Sequence, residues 1–173
     1  MFGWRVNITA PEFDKCIICV APHTSNWDFV LGKLAYAAVK RKSGFLMKSS
    51  WFFFPLGLIF RSIGGVPVYR KVKRGSLVEQ LVVRYKESPK LSLAITPEGT
   101  RSRNAKWHTG FLQIAYRAEI PILLGVLDYK DKNIDVSTVF YPTGDFKADM
   151  KQIKEFYSPY QGKYPDKFTT ADE

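Results

Sequence analysis

Cysteine and histidine are scarce in this 173-residue sequence, which has two of each. The cysteines form one Cys-x-x-Cys, Cys16 and Cys19, but no second Cys or His pair exists to complete a zinc site. The surrounding Lys15-Cys-Ile-Ile-Cys-Val-Ala21 reads as a buried strand, where residues three apart point to opposite faces. Two core cysteines in a reducing compartment are therefore expected, not a redox pair. Long apolar runs are also missing. The longest stretches free of Asp, Glu, Lys and Arg are twelve residues, 16–27 and 49–60, against the roughly twenty that a membrane-spanning helix needs. The opening Met-Phe-Gly-Trp-Arg-Val-Asn lacks the basic head and apolar body of a signal peptide. The expectation is a cytoplasmic protein.

Acidic residues are absent from one long segment. Residues 40–74 carry nine basic side chains (Lys40, Arg41, Lys42, Lys48, Arg61, Arg70, Lys71, Lys73 and Arg74) and no acid, within a chain of net charge +10. Such a stretch fits a polyanionic partner, whether nucleic acid, a phosphorylated small molecule or an anionic membrane, or else a solvated basic face. What is present in quantity is core material: 46% hydrophobic and 15% aromatic residues, enough for one globular domain over residues 1–173.

Short apolar runs at 16–21, 44–47, 65–69, 91–95, 121–127 and 134–140 alternate with helical patterns near 27–41, 49–62, 76–87, 110–118 and 146–157. In the third helix Leu77, Leu81 and Tyr85 recur every four residues behind a Ser76-x-x-Glu79 capping box. The alternation predicts an α/β layer fold, a single domain with a mixed, largely parallel sheet flanked by helices. The break at 128–133 reads as a hairpin. The run Trp51-Phe-Phe-Phe-Pro-Leu-Gly-Leu-Ile-Phe60 reads either as a core helix bent at Pro55 or as a greasy element dipping into lipid headgroups. Replacing Phe52 and Phe53 by Asp is the test the sequence suggests.

His23 follows its strand directly in Ala21-Pro-His-Thr-Ser-Asn-Trp-Asp28. Pro22 ends the strand, and Ser25 or Asn26 can cap the next helix. His23 thus falls at a strand C-terminus, where open α/β sheets place ligands. Asp28 lies in the first helical turn and can reach back to fix the imidazole tautomer, the outline of a general base. The alternative is a helix-capping Asp beside an ordinary histidine. A second cluster, Glu98-Gly99-Thr100-Arg101-Ser102-Arg103, follows the strand 91–95 and can present N–H groups and guanidinium forks to phosphate, or be a solvent loop with a local salt bridge. A third strand end delivers Arg70.

His23-x4-Asp28 followed by Glu98-Gly-Thr-Arg-Ser102 resembles the paired signature of the glycerolipid acyltransferases, the lysophosphatidic acid acyltransferase superfamily. Lys48 ahead of Pro55-x-Gly57, Gly64-Gly65 before Val-Pro-Val-Tyr-Arg70, and Ile120-Pro121-Ile122 fall in the family's order. The resemblance covers roughly residues 16–127, and the tail is similar to that of short bacterial members. It implies that His23 deprotonates an acceptor hydroxyl with Asp28 orienting it. The hydroxyl then attacks the thioester of acyl-CoA or acyl carrier protein directly, with no other cofactor. It also implies that Glu98, Gly99, Thr100, Arg101, Ser102, Arg70 and Lys48 bind a lysophospholipid acceptor, and that Pro121 lies toward the acyl donor. The absence of a Gly-x-Ser-x-Gly elbow agrees with direct transfer. A backbone N–H near Gly99 is a candidate for holding the oxyanion.

The sequence departs from the family where members using lysophosphatidic acid often carry Phe-Lys-x-Gly; here it reads Trp107-His108-Thr109-Gly110. No hydrophobic anchor of the family's kind precedes residue 16, so peripheral attachment to an anionic membrane surface through 49–60 and the basic stretch is expected. The rival class is a non-catalytic basic module for nucleic acid or membrane, with aromatics available for base stacking. The intact His23/Asp28 pair argues against it.

Overall fold

The computed structural model describes residues 3–68 and 76–171. Among these residues seven strands form one sheet: β1 (Arg5–Asn7), β2 (Lys15–Ala21), β3 (Gly44–Lys48), β4 (Gly65–Val68), β5 (Leu91–Ile95), β6 (Ile122–Asp128) and β7 (Asn133–Phe140). Their order is β1-β7-β6-β2-β5-β3-β4. Every pairing is parallel except the β6–β7 hairpin. This is the mostly parallel mixed sheet that the alternation of patterns implies. β1 was not legible, because three residues are too few to show a period.

β2 sits at the centre, between β5 and β6. Ile17, Cys19 and Ala21 point into one core cluster and Cys16 and Ile18 into another on the opposite face. Burial on both sides explains why its sequence is a continuous apolar run instead of an alternating one. Both cysteines are free thiols, and burial pushes each thiol up from its ordinary range. They pack; they do not pair.

Among the described residues five α-helices flank the sheet: α1 (Asn26–Ala38), α2 (Leu56–Ser62), α3 (Leu77–Glu87), α4 (Gly110–Ala118) and α5 (Phe146–Tyr157). Leu81, Val82 and Tyr85 of α3, Phe111, Leu112, Ile114 and Ala115 of α4, and Met150, Ile153 and Tyr157 of α5 share the cluster of Ile17 and Cys19. α1 packs Ala35 and Tyr36 on the other face. The Ser76–Glu79 capping box forms as expected. Leu77, in the first turn of α3, nevertheless stays exposed.

Two expected helices are shorter than their patterns. α1 stops at Ala38 because Lys40 takes a left-handed conformation, φ 59°, and the Arg41 N–H turns back to the Tyr36 carbonyl. The 49–62 pattern divides into a 3₁₀ turn at Ser49–Trp51 and α2. Pro55 lacks the N–H that a continuous helix would need and disfavours helical geometry at the residue before it. The division also sorts the aromatics. Phe52 is half-buried, its backbone pressed so close to Gly57 that a Cβ there would lie 2.8 Å from its carbonyl. Trp51, Phe53, Phe54, Leu58 and Ile59 are exposed, Phe54 by 83%. Part of the run therefore packs inward and part lies on the surface. The outward pair is Phe53 and Phe54, a correction to the pairing of Phe52 with Phe53.

Candidate active site

Pro22, joined to Ala21 by a cis peptide bond, ends β2, and the chain turns through His23 and Thr24 to the N-cap of α1 at Ser25. The Ser25 hydroxyl accepts the N–H of Trp27 at 3.2 Å. Asp28, one turn into the helix, sends its carboxylate back: Oδ2 accepts the backbone N–H groups of Thr24 and Ser25, both at 2.8 Å. The same oxygen lies 3.1 Å from His23 Nδ1. Capping and holding the imidazole are therefore one act, not alternatives.

Asp28 is 2% exposed. Burial alone would raise its pKa, but the bonds from His23, the Tyr129 hydroxyl and the Ser25 N–H outweigh it, and the net shift is downward. An ionised carboxylate only accepts, so His23 Nδ1 carries the proton toward it. In the neutral ring Nε2 then keeps its lone pair, and the side chain is 19% exposed. The pair is a base held in one tautomer.

Glu98 lies on the loop after β5, the strand beside β2 in the sheet. Its Oε1 accepts the backbone N–H of His23 at 3.0 Å. The residue is 4% exposed, and its Oε2 has no partner among the described residues. Burial pushes this carboxyl up to about 8, opposed by the His23 N–H and reinforced by the Asp28 charge. Glu98 thus sits under the His23 loop, a buried carboxyl whose Oε1 holds the loop's backbone.

The rest of the block is on the surface. Gly99 has φ +67°, and a Cβ there would meet the His108 ring at 2.5 Å, so only glycine fits. Its N–H donates to the Thr96 carbonyl at 3.2 Å, which removes it as an oxyanion donor. Thr100, Arg101 and Ser102 are exposed on the turn, at the same sheet edge as His23. Lys48, exposed at the end of β3, reaches that edge one strand beyond β5. Pro121 does not. It precedes β6, its carbonyl accepting the Ile17 N–H, at the opposite end of strands that run parallel. With six residues from Ile17 to His23, that is roughly 20 Å of extended chain. Pro121 is buried there as a strand start, away from the His23 loop. Arg70 lies outside the described residues.

The sequence reading missed what closes the loop from the far side. The Tyr129 hydroxyl donates to Asp28 Oδ1 at 2.7 Å. Thr24 Oγ1 accepts the Tyr164 N–H at 3.2 Å, and Gly162 packs so tightly that a Cβ would lie 2.7 Å from the Thr24 side chain. The available signal was position: Tyr129 directly follows β6, the other neighbour of β2. Among the described residues no group of three or more His, Cys, Asp or Glu is placed to hold a metal ion.

A search of curated proteins gave no match. A family model described as Acyltransferase matches residues 6–124, which takes in most of β1, β2 through β5, part of β6, His23, Asp28 and the turn 98–102. That is well over half of the chain. On this match, carried by the α/β sheet described above, the chain belongs to the acyltransferase family and is an acyltransferase.

Proposed function

We propose that this acyltransferase moves a fatty acyl group from acyl-CoA or acyl carrier protein to the free hydroxyl of a lysophospholipid, 1-acylglycerol 3-phosphate to phosphatidic acid. The observation that carries the reading is the His23–Asp28 pair at a sheet edge shared with the exposed Arg101. His23 Nε2 takes the acceptor's hydroxyl proton as the oxygen attacks the thioester carbonyl. The C–O bond forms, the C–S bond breaks, and the imidazolium returns the proton to the leaving thiolate. Asp28 stabilises the transient imidazolium. Release of free thiol from acyl-CoA, measured across a panel of lysolipids, tests the assignment. No thiol release with any lysolipid would overturn it.

Arg101 is the guanidinium available for phosphate. Arg101→Lys keeps the charge but loses the two-pronged grip. It is expected to raise KM for a phosphorylated lysolipid about tenfold while leaving slow donor hydrolysis unchanged. Equal loss with phosphorylated and uncharged acceptors would assign Arg101 to the turn's structure instead. A second reading, a lysolipid with another headgroup such as a lyso-amino-acid lipid, is favoured by His108. It stands where a family lysine is common and lies against Gly99. The same panel separates the two.

The acceptor resides in a bilayer, and no helix among the described residues is long and apolar enough to cross one. The proposed attachment is peripheral, on the cytoplasmic face. Besides Trp51, Phe53, Phe54, Leu58 and Ile59, α1 exposes Trp27, Val30 and Leu34 on one stripe. Lys33 joins the two regions, its Nζ donating to the carbonyls of Ile63 and Ser43 at 2.9 and 2.8 Å. Lys40, Lys42, Lys48 and Arg61 are exposed nearby in sequence. Vesicles containing anionic phospholipid are expected to co-sediment the protein, with high salt weakening but not abolishing binding. Phe53→Asp with Phe54→Asp should remove the salt-resistant part. Equal binding to neutral and anionic vesicles would reduce the basic residues to a solvated face.

A further inference from the structure

Asp28 spends its two oxygens unequally. Oδ2 receives three bonds, from His23 Nδ1 and the N–H groups of Thr24 and Ser25. Among the described residues Oδ1 receives one, from the Tyr129 hydroxyl at 2.7 Å. A carboxylate held at one oxygen can still rock about its Cβ–Cγ bond. A donor on the other oxygen stops that motion and sets the plane in which Oδ2 meets the imidazole.

Tyr129 is itself well fixed. It directly follows β6, whose pairing with β2 brings it level with the His23 loop. Its backbone N–H donates to the Gln161 carbonyl at 2.9 Å, and the Gln161 N–H reaches Asp128 Oδ1 at 3.3 Å. Its ring meets Trp4 edge-on, centroids 5.0 Å apart. Burial, the bond to Asp28 and that residue's charge all hold the phenol proton in place, so the hydroxyl stays a donor. Tyr129, Asp128 and Gln161 lie beyond residues 6–124, the part matched by the family model, and Trp4 lies ahead of it.

We infer that Tyr129 is a positioning residue of the active site: its hydroxyl fixes the rotation of the Asp28 carboxylate and thereby keeps His23 in the tautomer with Nε2 unprotonated. Glu98 performs the complementary task from the β5 side by holding the His23 backbone N–H. The inference rests on the proposed role of His23 as base.

Tyr129→Phe removes one oxygen and keeps the ring contact with Trp4. Two readouts apply. In acyl transfer, kcat is expected to fall about tenfold with KM for the acceptor unchanged, because a bond to an ionised group is lost without touching substrate. In nitrogen-15 spectra of histidine-labelled protein, which holds two histidines, the His23 ring should shift from one tautomer toward a mixture while His108 keeps its signals. The spectra need no substrate. A tautomer shift in a protein that transfers acyl groups to no lysolipid would sink the proposed function and leave the positioning role standing. An unchanged His23 ring in folded Tyr129→Phe would overturn the inference. If that variant does not fold, the wild-type Tyr129 hydroxyl proton decides: slow solvent exchange supports the bond, and exchange as fast as a free phenol overturns it.

Discussion

His23→Ala is expected to abolish acyl transfer, by about 10²–10⁴-fold or more, with thermal stability close to wild type. The imidazole leaves its Nε2 free to accept a proton from a hydroxyl at this sheet edge. Its Nδ1 is committed to Asp28 at 3.1 Å, and its backbone N–H to Glu98. Alanine keeps the second bond and loses only the ring, which is why the fold should survive. Asp28→Asn should be nearly as damaging, for a different reason. An amide at this position can donate toward Nδ1, which favours the tautomer with the proton on Nε2. Asparagine also presents one acceptor where the carboxylate presents two, so the Thr24 and Ser25 N–H groups compete with the Tyr129 hydroxyl for it. Melting curves beside turnover separate lost chemistry from a loosened helix start. Near-normal turnover by purified, folded His23→Ala would remove the general base from the mechanism.

The second large effect concerns stability. In the native protein Glu98 keeps its proton up to about pH 8, whereas its ordinary value is 4.5. Between those values the folded state binds more protons than the unfolded chain. Stability contributed at low pH is therefore lost progressively as pH rises from 4.5 toward 8. Glu98→Gln copies the protonated side chain and retains a carbonyl oxygen for the His23 N–H. It is expected to flatten this dependence, gaining on the order of a few kcal/mol over wild type at pH 8 relative to pH 4.5. Denaturant unfolding of both proteins at the two pH values measures it. Parallel pH profiles would show that Glu98 is ionised in the native state.

Much of the architecture was legible because it depends on local chemistry. Apolar runs of strand length, the Ser76–Glu79 box and the short 128–133 break each report their own element. Their alternation constrains the layers, since parallel strands require crossovers. The elements that were misread are those settled by long-range contacts. β1 exists because β7 offers it an edge, and Phe52 turns inward because Gly57 and Gly65 leave room beside it.

The site divides in the same way. Sequence alone determined that a histidine would stand at a strand end with an aspartate one helical turn on, because a proline stop, a serine cap and a five-residue spacing are local matters. It also determined that Arg101 would be on a turn past another strand. Only the tertiary structure decided which groups share a space. The parallel pairing of β2 with β5 slides Glu98 beneath the His23 loop, and the burial that follows pushes its carboxyl up. The same parallel direction carries Pro121 to the opposite edge. The pairing of β2 with β6 brings a tyrosine 101 residues distant in the chain onto the free oxygen of Asp28. Spacing along a chain encodes neighbours within a turn; strand order and direction decide all the others.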